Sequence, residues 1–338
     1  MTSVIMVLIL VSLAAVLIIR DKSVKNTTFF DLTTTKSMRG FWSIVILLVH
    51  VPTAYQNSIQ DMIGSFAYIG VTFFFMTSGY GLMLSIQRNP ESINVFWRKR
   101  LPKLLIPMLI LNIVQFAVKF FVFGSIDFLN LLSITGWVRQ LLIFYFLFWV
   151  FFRFIPGKIS LKAKSAVLCA CVLILSIAFY LVSGRIQVWP TESYGFIYGI
   201  LLAIYIKNFE AFALKNWWFK VVLLCSVALI FGLVYLKFKY IIFFGDYIIK
   251  ILLCLFITAF ILLLNAKISI GNPISRFLGD ISYEIYLFHG IVFTIVDATF
   301  TGLNSGIYIL LSIMITVILS WFANRLSYIL LSKCLKTK

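Results

Sequence analysis

Apolar runs of about 17 to 22 residues alternate with short polar connectors along almost the whole chain. Each run is long enough to cross a hydrocarbon core of about 30 Å. They fall at approximately 3–19, 40–56, 64–86, 104–123, 137–154, 165–183, 192–207, 217–236, 247–264, 281–300 and 306–331. This pattern predicts eleven membrane-spanning helices and an all-α, polytopic helical bundle. The run at 3–19 has no basic segment before it and no small-residue cleavage site, and Arg20, Lys22 and Lys25 follow it. It therefore reads as an uncleaved helix rather than a signal peptide. No internal repeat or low-complexity segment interrupts the pattern, and the longest connector, about 20–39, is too short to fold alone. Chemistry is expected inside the bundle or at its mouths.

Composition agrees with the pattern. Apolar residues make up 62% of the chain and charged residues 12%, whereas a soluble domain carries roughly twice that share of charge. The net charge of +18 is concentrated in connectors, which points to membrane topology rather than nucleic acid. If eleven spans alternate, the clusters at 20–39, 87–103 and 153–164, with the later Lys207, Lys215, Lys220, Lys267, Arg276 and C-terminal lysines, share one side. The connector 237–250, with Lys237, Lys239 and Lys250, is the exception. The positive-inside rule then places the C-terminus and the Arg39 end of its span in the cytoplasm and the N-terminus outside, as a multi-pass cytoplasmic-membrane protein. Five cysteines without CxxC spacing and two histidines predict neither a disulfide framework nor a metal site.

Arg39 and His50 enclose ten residues of the second run. On a helix they share a face, with Ser43 on the same stripe, about 16.5 Å apart along the axis. An intramembrane imidazole is costly to keep. The polar residues that follow (Thr53, Gln56 and Asn57, after Pro52) predict an outward-open cavity with His50 at its floor, where a neutral imidazole is a candidate general base. The competing reading is a histidine hydrogen-bonded between helices for packing. Arg98, Lys99, Arg100 and Lys103 lie at a helix entrance and suit a polyanionic donor, although a positive-inside anchor has the same composition. Ser78 lies in a glycine-containing apolar run without the G-x-S-x-G elbow, and reads as packing or cavity lining. Ser282, Tyr286 and His289, four and three residues apart, form one polar stripe, with Glu284 on another face. Glu192 orients an acceptor or His50 in one reading, and is an exposed loop carboxylate in the other.

Four segments together resemble the integral-membrane acyltransferase 3 family: Arg39-Gly40-Phe41 through His50, Gly70-Val71-Thr72 through Ser78-Gly79, the basic entrance ending at Pro107, and Ser282-Tyr283-Glu284-Ile285-Tyr286-Leu287-Phe288-His289. The resemblance implies a ten-span core within 39–332, preceded by an added N-terminal helix and connector (1–38) and followed by a short tail (333–338). It also implies transfer of an acyl group, expected to be acetyl, from cytoplasmic acyl-coenzyme A to a hydroxyl of an exported or cell-surface glycan. By the same resemblance His50 is catalytic, and Arg39, Arg98, Arg100 and Lys103 bind the donor. Ser78, Ser282, Tyr286, His289 and Glu192 are the expected acceptor-side contacts. The family pair of arginines three apart is here Arg100 and Lys103. The glutamate many members carry in the fourth core span is missing from Trp137–Phe144, as in standalone, polysaccharide-type members. Direct transfer and an acyl-histidine intermediate both remain open. The rival class is a transporter or flippase for a glycan or lipid-linked intermediate; the absence of a repeated half and of paired interrupted spans separates the two.

Overall fold

The computed structural model describes residues 2–18, 29–155, 158–182 and 189–336. Arg20, Lys22, Lys25 and Lys338 of the expected basic segments lie outside the described residues. Among the described residues there is no strand. The helices are α1 (Thr2–Ile18), α2 (Leu32–Val49), α3 (Ser58–Gly64), α4 (Ala67–Arg88), α5 (Phe96–Phe123), α6 (Gly136–Phe154), α7 (Leu161–Val182), α8 (Trp189–Glu192), α9 (Tyr194–Leu214), α10 (Trp217–Phe238), α11 (Lys250–Asn265), α12 (Pro273–Asp280), α13 (Ser282–Thr299) and α14 (Ser305–Lys336). Every expected span overlaps a helix. Among the described residues, eight segments are long and apolar enough to cross a bilayer, and nine if α12 and α13, bent by 70°, form one span. The protein is thus an all-α, polytopic membrane bundle. The two expected spans that miss the criterion are α1, whose apolar stretch is short, and α2, whose first two turns are polar.

The second span differs from its expected limits of 40–56. Asp31 caps α2, accepting from the Thr34 amide at 2.8 Å, so the helix starts eight residues before the apolar run and ends at Val49. Arg39 is therefore two turns inside a helix rather than at its boundary, and His50 is a C-cap rather than a mid-helix residue. The polar residues beyond it are occupied with backbone repair. A helix end leaves carbonyls without partners; Gln60 donates to the Leu48 carbonyl, Gln56 to that of Val51, and Asn57 caps α3.

The bundle is organised around α2. Trp42, Val45 and Ile46 enter the main core, shared with α4, α5, α6, α9 and α11. Ile44, Leu47 and Leu48 enter a second core with α1, α13 and α14. A helix buried on both sides is fixed in rotation, which holds its polar residues in place. Its closest neighbour is α12. A Cβ on Gly40 would lie 2.6 Å from the Ser275 carbonyl and 2.7 Å from the Gly279 nitrogen, and one on Gly279 would strike the Lys36 carbonyl. Glycines at both positions let the two backbones touch, as small residues do in membrane packing.

Candidate active site

The approach of α2 to α12 delivers Arg39 to the start of α13. Asn272 and Ser275 cap α12 reciprocally, with amide contacts of 2.9 and 2.8 Å, and Pro273 sits at its first turn. The chain bends at Ile281, and the Ser282 hydroxyl donates to the Gly279 carbonyl at 2.8 Å. From there α13 passes alongside α2.

Between these helices and α4, α5 and α6 lies a cavity of about 200 Å³. Arg39, Ser78, Ser282 and Tyr286, separate in sequence, all line it, together with Thr77, Trp137, Tyr145 and Tyr283. Two of its donors lack protein partners: Arg39 Nε and Trp137 Nε1 are buried and make no hydrogen bond. No carboxylate pairs with Arg39 among the described residues, because its nearest acidic neighbours are engaged elsewhere. Asp280 pairs with Lys36 at 2.5 Å, and Glu284 accepts from Asn324 at 3.0 Å. A buried guanidinium N–H and a buried indole N–H without acceptors are costly in a folded chain. They define a place for an oxygen-rich ligand.

A smaller cavity of about 50 Å³ lies one turn along the same three helices, lined by Ser85, Ser92, Lys99, Arg100 and Phe148. Leu104 and Arg100 on α5, Ser78 and Leu82 on α4, and Tyr145 and Phe148 on α6 connect the two spaces. Tyr145 lines the larger space together with Ser78, one turn before Phe148 of the smaller one, and is within electrostatic reach of Arg39 and Arg100. Of the expected basic cluster, Arg100 thus reaches the cavity system and Lys99 joins it, whereas Arg98 and Lys103 are exposed and line neither space.

His50 does not line the Arg39 cavity. Its ring stands against that of His289, with centroids 4.7 Å apart and planes at 50°. Tyr286, which does line the cavity, follows 5.8 Å beyond His289. The path from cavity to His50 therefore runs through Tyr286 and His289. The expected cavity floor is replaced by an exposed helix end with one side against a buried imidazole. Nδ1 of His50 contacts the Ile46 carbonyl at 2.8 Å, and Nδ1 of His289 contacts that of Ile285 at 3.2 Å. A carbonyl can only accept, so each neutral ring carries its proton on Nδ1 and leaves Nε2 as a base.

Glu192 is placed elsewhere, and it is not an exposed loop carboxylate. It is fully buried, paired with Lys250 at 2.8 Å and accepting from the Thr191 hydroxyl at 2.8 Å. Lys250 also sits 4.7 Å over the Tyr68 ring. Ser43 is likewise satisfied internally, donating to the Gly40 carbonyl at 2.8 Å. Trp137 and Tyr145 were not singled out from the sequence. Their signal there is only that of aromatic residues with a polar handle in an apolar run. Among the described residues no cluster of metal-ligating side chains occurs.

A family model described as an acyltransferase domain matches residues 36–325, which takes in His50, His289 and every residue named as lining the two cavities, and leaves out α1, the start of α2 and the end of α14. No curated protein and no solved structure matches the chain.

Proposed function

The chain belongs to this acyltransferase family and is a membrane-embedded acyltransferase; from that premise we propose that it moves an acetyl group from cytoplasmic acetyl-coenzyme A to a hydroxyl of an exported glycan. The observation that carries the reading is the buried Arg39 Nε, which makes no hydrogen bond and lines the same cavity as the equally unpartnered Trp137 Nε1. The cavity is large enough for an acyl thioester and the end of its arm, but not for a nucleotide. The phosphates of the donor then stay at the Lys99–Arg100 end, where cationic side chains meet them.

The chemistry follows from the tautomers. With its Nδ1 proton committed to Ile46, His50 offers the Nε2 lone pair. The acceptor hydroxyl gives its proton to Nε2 while its oxygen bonds to the thioester carbon. The carbon–sulfur bond then breaks, and the departing thiolate takes the proton back from the imidazolium. Arg39 and Trp137 donate to the carbonyl oxygen as negative charge develops there, an oxyanion-type stabilisation. Tyr286 and His289 lie between donor and base, so the rings must shift to bring the two together.

The test uses inverted membrane vesicles containing the full chain and acetyl-coenzyme A labelled in the acetyl group. Label is expected in a glycan fraction, base-labile as an ester, with none for His50→Ala. Movement of unmodified glycan across the vesicle, without label, would instead favour a transporter.

A further inference from the structure

A third cavity, of about 400 Å³, opens between the far end of α5 and the middle of α13. Its walls include Gln115, Lys119, Phe123, Gly290, Ile291 and Thr294. Lys119 lies nineteen residues beyond Arg100 on one continuous helix, about 28 Å at the α-helical rise. That is close to the thickness of a bilayer core, so the two cations stand at opposite faces of the membrane. The cavity is lateral. Phe120, Phe121 and Phe123 beside it are exposed, as are Phe128, Leu129 and Leu132 of the turn that follows α5. In a bilayer these side chains face hydrocarbon or its boundary.

Gly290 presents open space at this cavity, with nothing within 4 Å of where its Cβ would be. It also follows His289 directly in the chain. The Lys119 ammonium is only loosely engaged: Asp127 is 4.0 Å away, at the outer limit of an ion pair, and the same carboxylate accepts from Asn130. An ammonium, an amide and a hydroxyl at a lipid-facing crevice fit an anionic head group whose hydrocarbon chain lies along apolar residues.

We propose that this crevice seats the phosphate of a lipid-linked saccharide, so that the acceptor arrives sideways from the membrane, on the face opposite to the donor. This deepens the acyl-transfer reading above and rests on it for the role of the bound molecule.

The experiment uses the full chain in phosphatidylcholine nanodiscs without acetyl-coenzyme A. The probe is a polyprenyl phosphate bearing a photoreactive diazirine, with the matching alcohol as control. The phosphate is expected to label peptides spanning 115–123 or 290–294 at least tenfold more than the alcohol. Lys119→Gln should lower labelling at least tenfold, and Gly290→Leu should do the same by filling the space. Unlabelled polyprenyl phosphate should compete at concentrations at least tenfold below those of phosphatidylglycerol. Equal labelling by the alcohol, or full labelling of a folded Lys119→Gln protein, would overturn the site. Equal competition by phosphatidylglycerol would overturn the saccharide-carrier assignment. Labelling needs no turnover, so its loss with intact acetyl transfer rejects this site alone. Labelling without any acetyl transfer rejects the reading of the reaction instead.

Discussion

The His50 and His289 rings lie 4.7 Å apart, centroid to centroid, and each Nδ1 is tied to the carbonyl one turn before it. The two imidazoles are thus locked in the same tautomer on two neighbouring helices, His50 at the C-terminal end of α2 and His289 in the middle of α13. One is exposed and the other buried.

The pair assigns different consequences to its members. His50→Ala removes the proposed base, so acetyl transfer should fall by at least about 10²-fold, the lower range for loss of a general base. His289→Gln keeps a polar group against His50 and should lower kcat by less, leaving KM for the donor unchanged because the residue lies outside the donor cavity. Steady-state kinetics on detergent-purified, monodisperse protein separates the two. A His289→Gln enzyme with a raised donor KM and normal kcat would contradict the assignment.

Arg39 carries an activity–stability conflict. Its Nε is buried without a partner, and such a group costs stability until a ligand meets it. Arg39→Met should abolish transfer yet unfold at the same temperature as the wild type or higher. Arg39→Lys should also lose most activity, since a point charge does not reproduce a planar two-donor edge. Thermal melts by intrinsic fluorescence, alongside the transfer assay, check both. A large drop in melting temperature for Arg39→Met would mean that the guanidinium is satisfied within the fold.

Gly40 tests why the arginine is followed by glycine. A methyl group there would come within 2.6 Å of the Ser275 carbonyl and 2.7 Å of the Gly279 nitrogen, and neither backbone atom can turn aside. Gly40→Ala should separate α2 from α12, at a cost of roughly 1–3 kcal/mol for overpacking. It should also lower activity by moving Arg39 relative to Ser282. Gly290→Ala, with open space around it, is the matched control and should leave the melting temperature unchanged.

These residues also mark how much was legible beforehand. The apolar runs located the helices because a bilayer demands long continuous hydrophobic stretches. They misplaced the limits of α2, because Thr33, Thr34 and Thr35 read as a connector although Asp31 caps a helix there. Starting eight residues early moved Arg39 from a boundary to the interior, and ending seven residues early, at Val49, moved His50 from mid-helix to a cap. Spacing along one helix grouped Ser282, Tyr286 and His289 correctly as neighbours. It could not reveal that Tyr286 faces the cavity while His289 faces His50. Trp137 and Tyr145 became visible only when α6 packed against α4 and α13, since nothing local distinguishes them from the other aromatics of their run. The basic entrance was legible as a cluster, but which of its members face inward depends on packing.

Glu192 and Lys250 offer the sharpest separation of structure from chemistry. Glu192 is fully buried and Lys250 nearly so, with side chains 14% and 0% exposed for lysine and glutamate respectively. The two join α8 to α11, away from the cavities lined by Arg39 and Arg100. Removing one partner strands the other charge, at a cost of about 3–5 kcal/mol, whereas replacing both can be close to neutral. Glu192→Gln and Lys250→Met should each lower the melting temperature and the yield of folded protein. The double variant should recover much of both, with a coupling energy measurable by a double-mutant cycle. If the pair is structural, the double variant also regains acetyl transfer per folded molecule. If Glu192 touches the acceptor, stability returns but transfer does not. Measuring folded fraction and transfer on the same samples distinguishes the two, because only a substrate contact leaves the rescued protein inactive.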